Sequence, residues 1–168
     1  FLLIPRRSTG SSTLIQFPAE TGPQTTQPRN PYGPEDFGSI GPYRALKAGK
    51  CMLGIDVSAW QEEIQWPLVK AAGMEFAMIR IGYRGSESGK LNADRYAQQN
   101  LAGAANAGLH IGVYFFSQAL TFDEVDQEID FMLEVLGEHY LAMPLVLDWE
   151  IPTATARTAR MDARTLTD

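Results

Sequence analysis

The sequence predicts an α/β fold, a parallel sheet covered by helices, and three observations carry that prediction. Short apolar runs alternate with helical patterns in the order βαβαβαβ between residues 52 and 150. The runs are nearly continuous in apolar residues, as in strands buried on both faces. Each helical pattern stops at a glycine, at 73, 108 and 137 in turn.

Met52 to Val57 is the first apolar run and leads into Asp56-Val57-Ser58. Trp66-Pro67 opens a short helix, because proline fits the first turn, where its missing N–H costs nothing. Phe76 to Gly82 reads as a buried strand. A second helix is expected from about Asp94 to Ala107, followed by a strand rich in β-branched and aromatic residues, His110 to Phe116. Thr121, with Glu124 three residues on, fits a capping box. Phe122, Val125, Ile129, Met132, Leu133 and Leu136 give the helix that follows its apolar stripe. Met143 to Glu150 is the fourth strand. An open doubly wound sheet and a β/α barrel both fit this order. Nothing matches GxGxxG or a Walker phosphate loop, which disfavours a nucleotide-binding version.

Composition divides the chain of 168 residues in two. Seven of its ten prolines fall in the first 50 residues, which hold six basic and three acidic residues, or +3. The rest carries eight basic and seventeen acidic residues, or −9, giving the formal net charge of −6. Ser8 to Pro34, dominated by Ser, Thr, Gly, Gln and Pro, cannot bury enough apolar surface to offset its ordering entropy. Residues 1–44 are therefore expected to form a linker, and residues 45–168 the folded domain. The apolar-then-basic Phe1 to Arg7 has the character of a signal or anchor remnant. The acidic balance argues against nucleic acid, which needs a basic face. One cysteine excludes an intramolecular disulfide framework, and two histidines disfavour a structural zinc site. No stretch has the roughly 20 apolar residues that span a bilayer.

Three acidic residues stand at the C-terminal ends of expected strands: Asp56 on the first, Asp148 and Glu150 on the fourth. Parallel α/β folds place their active sites at that edge. Asp148 and Glu150 are two apart, so a strand projects both from one face. A carboxyl beside another carboxylate holds its proton to higher pH, which makes a general acid. With Trp60, Tyr83, Tyr114 and Trp149 to stack on sugar rings, the set suggests glycoside hydrolysis. Asp-x-Glu alone is weak, and solvated turns contain it often. Trp60 and Trp66 read more readily as core or lid residues than as sugar platforms. Arg80, inside an apolar strand, requires an anionic partner.

Gly54-Ile55-Asp56-Val57-Ser58-Ala59-Trp60-Gln61, Ile64-Gln65-Trp66 and Phe76 to Arg80 resemble the opening of glycoside hydrolase family 25, the lysozymes (N-acetylmuramidases) of bacteria and phages. Asp94 with Asn100, Ala104 to Leu109, Gly112 to Phe116 and Pro144 to Glu150 follow in the family's order. The resemblance implies a modified eight-stranded β/α barrel, of which about four parallel strands with their helices fall in this chain. It implies cleavage of the β-1,4 bond between N-acetylmuramic acid and N-acetylglucosamine in peptidoglycan, with no metal or organic cofactor. Glu150 matches the family's proton donor, Asp148 and Asp56 its supporting acids, and Tyr114 a tyrosine near the reacting sugar. Arg80, Tyr83 and Trp149 join Tyr114 as the substrate-binding set. The substrate's own 2-acetamido group is the implied nucleophile, an exception to the two-carboxylate scheme. Peptidoglycan as partner implies an extracellular or cell-surface location. The family's barrel adds further strands and one more acidic residue, so the chain by itself is expected to be inactive or poorly folded. A glycan-binding module without chemistry and a Mg²⁺-dependent phosphohydrolase are the competing classes; the lack of a phosphate-cradling loop disfavours the second.

Overall fold

The computed structural model describes residues 33–40, 43–46 and 51–161. The expected signal or anchor remnant and most of the linker lie outside the described residues. Two units emerge, Phe1–Cys51 and Met52–Asp168. In the first, a 3-10 turn at Pro34–Asp36 leads into an antiparallel hairpin of β1 (Phe37–Ile40) and β2 (Tyr43–Leu46). Its pairing falls where composition suggested only turns and linker.

The second unit holds the predicted alternation: β3 (Gly54–Val57), α1 (Trp66–Ala71), β4 (Phe76–Arg84), β5 (Leu91–Ala93), α2 (Ala97–Asn106), β6 (His110–Ser117), α3 (Phe122–Leu136) and β7 (Leu145–Trp149). The parallel order is β3-β4-β6-β7, with β5 added antiparallel to β4. Three residues between Gly- and Ser-rich turns give β5 too little pattern to be read in advance.

Strand period sets the two faces. Ala77, Ile79 and Ile81 of β4 and Ile111, Val113 and Phe115 of β6 are buried on the side covered by α2 and α3. With Leu101, Ala104 and Met132 they form the core. Fully burying a Leu, Ile or Phe side chain contributes about 1.5–3 kcal/mol. Register places Arg80 opposite Tyr114, Tyr114 opposite Val146, and Phe116 opposite Asp148, all on the other face. Arg80 pairs with Tyr114 but Gly82 with Phe115, so Ile81 is an extra residue, a β-bulge. At Gly82 a Cβ would lie 2.7 Å from the Asn92 carbonyl of β5, and only glycine lets the strands approach.

Two details of α3 depart from expectation. Thr121 Oγ1 accepts from the Glu124 amide at 3.3 Å, but the Glu124 carboxylate reaches back to the Leu120 amide at 2.7 Å, one residue beyond a reciprocal capping box. The buried residues of α3 are Glu128, Met132 and Leu136, while Phe122 and Leu133 are exposed. The reason is a buried ion pair: Glu128 Oε1 accepts from Arg84 Nε at 2.7 Å and its Oε2 from Ser117 Oγ at 2.5 Å, which turns this face of the helix to the sheet. The helix ends at Gly137, whose φ of 57° favours glycine.

Candidate active site

The acids collect at the C-terminal edge of the parallel strands, as predicted. Asp56 lies on β3 and Asp148 on β7, while Glu150 lies one residue past the last strand pairing and is exposed. The strand was expected to include Glu150. Its backbone is held instead by side chains: the Glu150 carbonyl accepts from Gln118 Nε2 at 2.6 Å and from Thr158 Oγ1 at 3.2 Å. Gln118 is fully buried, and its Oε1 accepts from Thr158 Oγ1 at 2.9 Å. Gln118 also adjoins the Glu128 network, through its amide N–H to Glu128 Oε1 at 3.4 Å. A buried amide at the end of β6 thus fixes the backbone of the acid after β7.

Tyr114 of β6 donates its hydroxyl to Asp56 Oδ1 at 3.1 Å. Burial pushes the Tyr114 phenol far above its ordinary range, reinforced by the charge of Asp56 and the hydrogen bond to it. Asp148 also holds its proton above the usual carboxylate range, through burial and then the negative charges of Glu150 and Asp56. Asp148 therefore lies within reach of the charges of both other acids. The sequence argument left open which carboxyl of the pair holds its proton; the upward shift is found at Asp148, the half-buried member on the strand.

Arg80 has the anionic partner its position demands. Its Nε and Nη2 both lie 2.8 Å from Oδ2 of Asp94, whose side chain is wholly buried. The same oxygen accepts from the Ala59 amide at 2.9 Å, and Oδ1 accepts from the Tyr96 amide at 2.9 Å. Asp94 was expected to open α2, which begins at Ala97; instead it ties β4 to the loop after β3. The Arg80 guanidinium stacks over Tyr83 at 5.4 Å from the ring centre. Trp149, on the opposite face from Asp148, commits its indole N–H to the Ala119 carbonyl at 3.1 Å. Trp66 is buried, as the core reading expects, whereas Trp60 is 84% exposed, which excludes the core and leaves the lid and sugar-platform readings.

A cleft of about 690 Å³ opens beside Arg80, lined among others by Trp60, Tyr83, Arg95 and Phe116. Among the described residues no group of three or more His, Cys, Asp or Glu is placed to hold a metal ion. None of the described helices is long and apolar enough to cross a membrane. Sequence reasoning missed the buried polar residues Gln118, Glu128 and Thr158; Arg80 and Arg84, basic residues within an apolar strand, were the signal that acids had to meet them.

The family profile described as Glycosyl hydrolases family 25 matches residues 55–168, which includes every acid of this edge. The chain belongs to glycosyl hydrolase family 25. A curated family relative, Lysozyme M1 of Streptomyces globisporus, is 43% identical over 65 residues, 39% of this chain and 20% of that protein. A family 25 glycosyl hydrolase from Bacillus anthracis superposes with a TM-score of 0.57 at 20% identity, over 81% of this chain and 56% of that one. The bacterial lysozyme of Streptomyces coelicolor gives a TM-score of 0.52 at 26% identity, over 71% of this chain and 54% of that one. The family 25 chain thus spans about half the length of these solved relatives. Its partial parallel sheet with covering helices agrees with the barrel half that the resemblance implied.

Proposed function

We propose that the protein is a muramidase, hydrolysing the β-1,4 bond between N-acetylmuramic acid and N-acetylglucosamine in peptidoglycan. The observation that carries the reading is the grouping of Asp56, Asp148, Glu150 and the Tyr114 hydroxyl at the C-terminal edge of a family 25 sheet. Glu150, exposed beyond β7, donates a proton to the leaving glycosidic oxygen as the bond to the anomeric carbon breaks. The carbonyl oxygen of the substrate's 2-acetamido group attacks that carbon, and Asp148 orients the acetamido group and stabilises the positive charge. Water then opens the cyclic intermediate while the Glu150 carboxylate takes its proton, restoring the acid. Asp56 and its hydrogen-bonded Tyr114 hold the charge and position of the reacting sugar. Arg80 and Tyr83 complete the substrate-binding set from the cleft wall. Such a substrate places the protein outside the cell or at its surface.

The test is digestion of purified peptidoglycan with identification of the new reducing ends. N-acetylmuramic acid reducing ends are expected. Glu150→Gln is expected to remove release while sugar binding survives. Release that persists in Glu150→Gln, or reducing N-acetylglucosamine ends, overturns the proposal. Binding without release by the unaltered chain favours the glycan-binding class.

A further inference from the structure

The catalytic edge is electrically lopsided. Its carboxylates come from β3 and the end of β7, whereas the cleft beside them is lined by three arginines, Arg80, Arg84 and Arg95, and one acid, Asp94. Two of those arginines are neutralised from beneath: Arg80 by Asp94 at 2.8 Å, and Arg84 by Glu128 at 2.7 Å. Arg95 differs. It is exposed, its guanidinium rests 5.0 Å from the centre of the Tyr96 ring, and no carboxylate among the described residues lies within ion-pairing distance. Its neighbour Asp94 is wholly engaged by Arg80 and the amides of Ala59 and Tyr96.

Trp60 faces the same cleft at 84% exposure, on a short turn that is firmly built. Ser58 Oγ accepts from the Trp60 amide at 3.3 Å, Gln61 Oε1 accepts from the Ser58 amide at 2.8 Å, and the next amide, Ala59, is bound by Asp94. A large aromatic held out in water by a rigid turn supplies a stacking face at little ordering cost. Asp94 therefore arranges both walls: the Trp60 platform on one side, and the Arg80–Tyr83 stack with Arg95 on the other.

We infer that this cleft is a subsite for a carboxylate-bearing arm of the glycan, with Arg95 reading the carboxylate and Trp60 supporting the sugar or peptide that carries it. The inference rests on the muramidase reading and deepens it. A neutral sugar gives an uncompensated guanidinium nothing to pair with, whereas a fork of N–H donors matches a carboxylate. The acids at the far side of the edge repel the same arm, so the two ends together orient an asymmetric strand.

The test is NMR titration of the 168-residue chain, following the indole N–H signals of Trp60 and Trp149, with buried Trp66 as the monitor of folding. The probes are N-acetylglucosamine, N-acetylmuramic acid, and N-acetylmuramyl-alanyl-isoglutamine. Either anionic probe is expected to bind more tightly than N-acetylglucosamine by up to about fivefold, the upper end of what an exposed ion pair supplies. The Trp60 signal should move most, and the preference should shrink as salt rises. Arg95→Gln is expected to abolish the preference and leave N-acetylglucosamine binding unchanged. The better anionic probe tells which carboxylate is read, that of the lactyl group or that of the peptide. Equal affinity for all three, a preference that survives Arg95→Gln, or shifts confined to Trp149 overturns the subsite. Those results leave the muramidase reading intact, and cleavage that survives Glu150→Gln overturns that reading whatever Arg95 does.

Discussion

Glu128→Ala is expected to be among the most damaging single changes in the described domain, because it breaks an ion pair in which both side chains are buried. Glu128 is 0% exposed and Arg84 3%. The truncation removes the acceptor of Arg84 Nε at 2.7 Å and of Ser117 Oγ at 2.5 Å. Arg84 keeps the carbonyls of Gly89 and Glu124, both at 2.9 Å, but its nearest remaining carboxylate is Glu124, at 3.9 Å. Removing one partner of a buried pair typically costs about 3–5 kcal/mol. Urea unfolding is the assay: with a slope of about 1–3 kcal/mol per molar, the midpoint should fall by at least about 1 M. Glu128→Gln retains hydrogen-bonding capacity and should lose less. The Glu124–Arg157 pair, at 2.6 Å but about one-fifth exposed on each side, sets the lower bound, and Arg157→Ala should lose less than either. A Glu128→Ala midpoint within error of the unaltered protein would refute the assignment of α3's buried face to this ion pair.

Three further outcomes follow from the same geometry. Asp148, whose carboxyl binds its proton more tightly folded than unfolded, contributes stability that is present below the unfolded value and is lost as pH rises through the folded one. Asp148→Asn should therefore raise the urea midpoint at pH 7 and change it little at pH 3; equal gains at both would refute this. Tyr114, held un-ionised by burial and by Asp56, should contribute no phenolate absorbance near pH 10–11, where ordinary tyrosines titrate. Tyr114→Phe should leave the spectrophotometric titration over that range unchanged, and a loss of amplitude there would count against the contact. Gly103→Ala places a Cβ 2.2 Å from the Trp66 ring, so the roughly 1 kcal/mol that alanine gains in a helix should be outweighed by about 1–3 kcal/mol of overpacking, read as a lower urea midpoint.

The main elements could be read because they advertise themselves locally. Apolar runs such as Phe76 to Ile79 and Ile111 to Phe116 have few other homes, and a helix that starts at Thr121 and stops at Gly137 carries its own ends. The acids of the edge could be read for the same reason, since each follows an apolar run. What escaped was nonlocal. Asp94 looked like a helix opener because nothing in its neighbourhood reveals Arg80, fourteen residues earlier, as its partner. Glu128, off the apolar stripe of α3, and Gln118, past the end of the expected strand, carry no local sign of burial. Each is buried only because a distant strand supplies its counterpart.

The extra residue at Ile81 acts as a phase shifter in β4. On an uninterrupted strand, residues 80 and 83 point to opposite sides, and the stack of Arg80 on Tyr83 could not form. The slip lets one strand keep its parallel register with β3 and β6 before the bulge, and present a different parity to β5 and the cleft after it. Removing Ile81 would exchange the sides of Tyr83 and Arg84, carrying the buried cation away from Glu128 and an aromatic ring into its place. The identity of the cleft wall is thus set by a count of residues as much as by their chemistry.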